Sequence, residues 1–345
     1  MNLLPEKLRN KTAYKPNEGQ YAIRLDANEA PEDLPRELKQ AFLQELQDIP
    51  LNRYPDPSAK ALRAAFAARY HVDMDSIVAG NGSDELINLL LCSFLSKGDK
   101  LLLLQPDFSM YRFYAELAEL TLVAHRKQRP FSAQALAEAL TQSGARAVIF
   151  SNPCNPTGEG LSRAGLLELV RQRPDVLFIV DEAYMDFWDQ SLLADAPSLP
   201  NLIVLRTLSK AWGAAGVRLG FAACCPQLLG ALNTARSPYN LSSLSQLLGR
   251  LLLEQQPCLG AFLGGQAQKL EKQLRCILPG ADVFSTCTNF VYLETADAQE
   301  IFEFLKERGI IVRLFGTGAL RITASLDQEL KALYAALQNY MEAKK

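Results

Sequence analysis

Three polar segments of this chain each follow directly on a short apolar run, and each carries residues capable of chemistry. After AVIF comes Ser151-Asn152-Pro153-Cys154-Asn155-Pro156-Thr157-Gly158, after VLFIV comes Asp181-Glu182-Ala183-Tyr184, and after LIVL comes Arg206-Thr207-Leu208-Ser209-Lys210. In an open α/β sheet, ligands bind at the carboxyl ends of the strands, so parallel strands would gather all three segments on one rim. That rim would offer an amine, a carboxylate, an amide and a phenol, a set suited to nucleophilic and acid–base work. A fourth segment, Gly80-Asn81-Gly82-Ser83-Asp84-Glu85, runs straight into an apolar stretch. Glycines ahead of a helix expose backbone N–H groups where the helix dipole favours an anion, with Ser83 as N-cap and Asp84 and Glu85 in the first turn. The plain alternative for this segment is a capped helix with no ligand.

Pyridoxal phosphate (PLP) makes a similar set of demands on a protein. A lysine must form an imine, an acid must keep the pyridine nitrogen protonated, the ring needs an aromatic neighbour and the phosphate needs donors. Lys210 meets the first demand and Asp181 the second. Asn155 or Tyr184 could hold the ring's phenolic oxygen, and Ser83, Ser209 and Arg218 could meet the phosphate, Arg218 with fixed charge. A lone lysine is ordinarily a solvated surface charge, and a lone aspartate after a strand is ordinarily a helix cap. Lys210 and Asp181 gain weight because Asn155 and Arg218 occur at compatible places. Glu182 and Cys154 read as structural residues.

The elements that must position these residues alternate. Strand-like runs at 101–104, 120–124, 147–150, 176–180, 202–205 and 217–225 are separated by helical periodicity, as in 161–172. The expectation is an α/β large domain with a mostly parallel sheet, spanning 46–240. After about residue 240 a long helical region, roughly 242–276, leads to short strands and a helix, the pattern of a smaller α+β domain. Residues 1–45 show no strand and are expected to pack with 241–345 in that small domain. A length of 345 residues suits two domains. The formal charge of −2 gives nucleic-acid or membrane-surface binding no support. MNLLPEKLRN lacks the apolar core of a signal peptide, and no run is long enough to span a membrane, so a cytoplasmic protein is expected. The 7 cysteines form no CxxC and read as buried reduced thiols. His71 and His125, the only histidines, lie near no other candidate ligand, so no metal site is expected.

The chain closely resembles the class I/II, fold-type I PLP-dependent aminotransferases, and within them the branch that acts on histidinol phosphate. The matching segments are LDANEAP, NRYPDP, GNGSDELI, PDFSMY, SNPCNPTG, DEAYMDF, RTLSKAWGAAGVRLG, SPYNLSSLSQ and LRIT, in the family's order and across nearly the whole chain. The resemblance implies that Lys210 carries the cofactor as an imine, Asp181 partners the pyridinium, and Asn155 and Tyr184 contact the ring's O3′. It puts Phe108 on the stacking position, where this branch commonly has Tyr. Ser83, Asp84 (through its N–H), Thr207, Ser209 and Arg218 fall in or beside the phosphate cup. Tyr54 matches a tyrosine that reaches the phosphate from the partner subunit, implying a homodimer with shared sites. Tyr14, Asn28, Arg313 and Arg321 fall where the family holds substrate. The implied reaction converts L-histidinol phosphate and 2-oxoglutarate to imidazole acetol phosphate and L-glutamate, in histidine biosynthesis. ANEAPEDLP in place of a Gly-Pro-rich continuation, and Ala324-Ser325 after LRIT, depart from the branch on the substrate side. Three rivals share the cofactor residues or the fold: an aromatic amino-acid aminotransferase, a PLP decarboxylase of a phosphorylated amino acid, and a PLP-binding regulatory domain. LDANEAP and NRYPDP favour the aminotransferase over the decarboxylase, and no basic helix-turn-helix precedes residue 45 to support the regulator.

Overall fold

The computed structural model describes residues 3–9, 11–12 and 17–344. Its strands are β1 (Ile23–Leu25), β2 (Ile77–Gly80), β3 (Lys100–Gln105), β4 (Thr121–Arg126), β5 (Ala147–Ser151), β6 (Leu177–Asp181), β7 (Leu202–Thr207), β8 (Gly220–Cys224), β9 (Asp282–Val283), β10 (Phe290–Glu294), β11 (Ile310–Phe315) and β12 (Ala319–Thr323). Seven of them form one sheet in the order β2-β8-β7-β6-β5-β3-β4. Strands β7, β6, β5, β3 and β4 run parallel, and β8 alone runs against its two neighbours. Strands of a parallel sheet covered on both faces read as continuous apolar runs because every side chain is buried. The pleat then sorts alternate residues: Phe178 and Val180 enter the core on one face, Ile179 the core on the other. The Gly82–Ser93 helix, apolar nearly all round, buries Leu86, Ile87, Leu90 and Leu91 in that second core.

The smaller sheet has the order β1-β11-β12-β10-β9. Leu25, Val312, Leu320 and Ile322 lie on one of its faces and pack with Leu270, Leu274, Leu305, Leu333 and Leu337 of three helices. Because side chains alternate along a strand, the opposite face carries Arg24, Arg313 and Arg321.

Several expectations change. The N-terminal 45 residues do contain a strand, β1, whose three residues pair in parallel with β11. So short a strand has no pattern to read; it exists because β11 leaves an edge to be covered. The Arg36–Leu46 helix buries Leu38 in the larger core rather than the smaller, as does Ser243–Gln255 with Leu247 and Leu251, so both cross the divide expected near 45 and 240. The expected helix at 242–276 is two, Ser243–Gln255 and Gly260–Ile277, parted at Pro257, which cannot donate to a continuing helix. The Gly82–Ser93 helix starts at Gly82, so Ser83 lies in its first turn and Asn81 takes the cap position. Its N–H is met by the Glu85 carboxylate reaching back. All cysteines are free, but Cys92 and Cys276 are exposed rather than buried.

Candidate active site

The ends of β5, β6 and β7, the N-terminus of the Gly82–Ser93 helix and the arginine-bearing face of the smaller sheet enclose a cavity of about 610 Å3. Asp181, the last residue of β6, is buried at its floor. One carboxylate oxygen accepts from the Tyr111 hydroxyl at 2.8 Å, the other from the Ala183 N–H at 3.0 Å. Burial pushes this carboxyl up to about 7, with the Tyr111 and Ala183 bonds opposing the rise and Asp107 and Asp84 adding to it by repulsion. A cation placed against it would return it to the ionised form.

Lys210 is half-buried, its Nζ donating to the Ala27 carbonyl at 3.0 Å and standing 5.8 Å from the Tyr184 ring centre. The Tyr184 hydroxyl accepts from Asn28 Nδ2 at 2.9 Å. Asn28, at φ 54, is fixed by Thr323, whose hydroxyl donates to its Oδ1 at 3.1 Å. Its carbonyl also accepts from Asn289 at 3.2 Å. Asn28 therefore orients Tyr184 as well as lining the cavity. Asn155 donates its N–H to Ser151 Oγ at 2.9 Å, and its side-chain oxygen accepts from the Arg321 guanidinium. The Asn155 NH2 and the Tyr184 O–H thus remain as two donors at the cavity wall.

The opposite wall gathers Ser83, Asp84, Thr207, Ser209 and Arg218. Two glycines permit this approach. A Cβ on Gly220, which opens β8, would lie 2.4 Å from the Ser83 nitrogen, and one on Gly82, at φ 79, would lie 2.6 Å from the Arg218 guanidinium. Arg218 stands 3.5 Å from the Asp84 carboxylate. Thr207 Oγ1 accepts from the Ser209 N–H at 3.1 Å and donates to the Leu219 carbonyl at 3.0 Å, closing the turn that presents Ser209 and Lys210. The wall is an N-terminal helix turn plus hydroxyls and a guanidinium, the composition of a phosphate cup. Phe108 lines the cavity edge-to-face with Tyr111, ring centres 5.5 Å apart.

At the far end, Arg313 and Arg321 are direct partners across β11 and β12. Both line the cavity, on the same face of the sheet as Arg24. Arg321 also donates to the Asp26 carbonyl at 2.7 Å.

Among the described residues, the cavity thus contains every expected site residue except Tyr54. Tyr54 is 80% exposed, stacks on Tyr239 at 4.4 Å and does not line its own chain's cavity. Tyr14 lies outside the described residues. His71 and His125 are absent from the cavity lining, and no cluster of three or more His, Cys, Asp or Glu suited to a metal occurs among the described residues. Among the lining residues not singled out by type and spacing are Asn17, Arg24, Asp26, Asp107 and Tyr111. Tyr111 and Asp107 lie within PDFSMY, but nothing in that string says that Tyr111 bonds Asp181 or that Asp107 takes the Ser151 N–H and hydroxyl.

The sequence description of the family "Aminotransferase class I and II" matches residues 21–337. The chain belongs to this family. As an aminotransferase it is 35% identical over 349 residues to the histidinol-phosphate aminotransferase of Caldanaerobacter subterraneus subsp. tengcongensis, covering 99% of each chain. Its fold superposes on histidinol-phosphate aminotransferase of Sinorhizobium meliloti in complex with pyridoxal-5′-phosphate, with a TM-score of 0.89 at 21% identity, covering 100% of this chain and 99% of that one. L-threonine-O-3-phosphate decarboxylase from Porphyromonas gingivalis shares the fold too, with a TM-score of 0.80 at 21% identity, covering 93% and 99%. The fold alone therefore does not separate these reactions. No helix among the described residues is long and apolar enough to cross a membrane.

Proposed function

We propose that this aminotransferase uses PLP to move the amino group of L-histidinol phosphate to 2-oxoglutarate, yielding imidazole acetol phosphate and L-glutamate in histidine biosynthesis. The observation that carries the substrate class is the Arg313–Arg321 pair in direct register, at the end of the cavity away from the Ser83–Arg218 wall. Both halves of the reaction present an anionic tail, a phosphate on the donor and a carboxylate on the acceptor. Two facing guanidiniums suit either anion. The full-length relatives of that name support the same reading.

The residues present fit PLP. Asp181 is a buried carboxyl whose own partners are a phenol and an N–H, so a protonated pyridine nitrogen would relieve its burial. When bound, the cofactor supplies an electron sink for the charge that develops at the donor's Cα. Lys210 would anchor the cofactor through its aldehyde, and its amine, when free, would carry the donor's Cα proton. Asn155 and Tyr184 would donate to the ring's O3′, with Asn28 fixing Tyr184. Phe108 would pack against the ring, and Ser83, Asp84 N–H, Thr207, Ser209 and Arg218 would hold the phosphate. The PLP-binding lobe takes in the Arg36–Leu46 and Ser243–Gln255 helices. The active form is a cytoplasmic homodimer in which the exposed Tyr54 completes the partner's phosphate cup and Tyr14 reaches the donor.

The test is to assay the purified protein with L-histidinol phosphate, phenylalanine and tyrosine, each with 2-oxoglutarate, and with phosphothreonine alone. Glutamate formation strongest from histidinol phosphate is expected. Preferred turnover of an aromatic amino acid, or carbon dioxide from phosphothreonine, overturns the substrate assignment.

A further inference from the structure

A second cavity, of about 280 Å3, shares Ser151 with the first and is lined by Lys127 and Cys154. Lys127 follows β4, and its N–H donates to the Gln105 carbonyl at 2.7 Å. Its ammonium donates to Cys154 Sγ at 2.8 Å and stands 3.6 Å from the Asp107 carboxylate. Burial pushes the Cys154 thiol up, so the sulfur stays neutral and donates onward to the Pro106 carbonyl at 3.5 Å. Among the described residues Lys127 pairs with no other carboxylate than Asp107.

Asp107 lines the first cavity, its side chain 4% exposed. It takes the Phe108 N–H at 2.9 Å, the Ser151 N–H at 3.3 Å and the Ser151 hydroxyl. Ser151 Oγ in turn accepts from the Asn155 N–H at 2.9 Å, so Asp107 anchors both Phe108 and Asn155. Every partner of this carboxyl is a donor, which suits its ionised form. Burial pushes it up, and Lys127 is the strongest influence drawing it back down. An ionised Asp107 is then a second negative charge beside Asp181, which it repels.

We propose that Lys127 is a positioning residue acting through Asp107: it cancels the charge of that carboxylate, so that Asp107 anchors Phe108 and Asn155 without adding to the negative charge that Asp181 places at the ring. The inference rests on the reading of Asp181 and Lys210 as the cofactor's partners. Other ionisable groups face the same space: Tyr111 from the Ser109–Leu117 helix, Tyr184 beside Lys210, and Asp84 and Arg218 on the phosphate side. Glu159 and Cys287 line the second cavity with Lys127. All of these stay in place when only the Asp107–Lys127 pair is changed.

The holoenzyme reads the field of the pair. The visible absorbance of bound cofactor changes with pH as its link to Lys210 gains or loses a proton; a nearby negative charge raises the midpoint and a positive charge lowers it. Asp107→Asn leaves Lys127 unbalanced and should lower the midpoint by about one pH unit, and Lys127→Met leaves Asp107 unbalanced and should raise it by about as much. The double variant, with neither charge, and Lys127→Arg, with both, should return it to the wild-type value. Lost packing alone does not produce opposite shifts that cancel. If Lys127→Met fails to fold, Asp107→Asn and the double variant still decide, the first low and the second restored. Midpoints that coincide in all the proteins, single variants that shift the same way, or a double variant further from wild type than Asp107→Asn overturn the role of Lys127 and leave the cofactor site standing. A wild-type visible band that survives Lys210→Ala overturns both.

Discussion

In the cofactor-free protein, Asp181→Asn should change the pH dependence of folding in a way fixed by the burial of that carboxyl. The Asp181 carboxyl is pushed up to about 7 in the folded chain, against an ordinary value of 3.8. Between those two values the unfolded chain has released a proton that the folded chain still holds. Stability from this group is therefore complete below 3.8 and is lost as pH rises through about 7. A gap of about 3 pH units, at about 1.36 kcal/mol each, makes the loss about 4 kcal/mol between pH 4 and pH 8. Asparagine cannot ionise and shows none of it. Urea unfolding of the apo wild type and the apo variant across that range gives two curves, and their difference cancels other titrating groups. The variant should gain about 4 kcal/mol on the wild type from the acid end to the alkaline end. PLP bound to the wild type should remove the effect by placing a cation against the carboxylate. A difference that stays constant to within about 1 kcal/mol refutes the electrostatic argument. The same variant should bind PLP and lose most of its turnover.

Lys210→Ala should abolish both turnover and the visible absorbance of bound cofactor while circular dichroism stays native; retention of both would remove the central assignment. Arg313→Ala should weaken binding of histidinol phosphate by about tenfold or more, the value of a charge-assisted bond, and affect binding of an unphosphorylated aromatic amine much less; equal effects would make Arg313 structural. Gly220→Ala places a methyl 2.4 Å from the Ser83 backbone nitrogen, so it should lower stability by about 1–3 kcal/mol and weaken PLP binding, read by thermal melting with and without cofactor. An unchanged melting point and PLP affinity would mean the helix start is not held by that contact. Inactive Tyr54→Ala and Lys210→Ala proteins, unfolded and refolded together, should recover part of the activity, since one site of each mixed dimer then has both groups. Mixed dimers confirmed by mass yet inactive would show that Tyr54 serves its own chain.

What could be read from the chain alone was whatever is carried by local pattern. Apolar runs ending in Ser151, Asp181 and Thr207 are strands of a parallel sheet because burial on both faces demands such runs, and parallel strands place their carboxyl ends together. That put Asn155, Asp181, Tyr184 and Lys210 on one rim without any knowledge of coordinates. The resemblance then supplied residues no spacing reveals, among them Asn28 and Arg321, and the structure brings both to the cavity. Tertiary structure decided the rest, because it depends on contacts between residues far apart in sequence. Tyr111 meets Asp181 across 70 positions, and Asn28 meets Thr323 across 295. The register of β11 against β12 sets Arg313 opposite Arg321, and a slip of one residue would turn one of them into the opposite core. Asn17 and Arg24 both reach the Asp26 carboxylate, contacts made around a three-residue strand too short to show a pattern of its own.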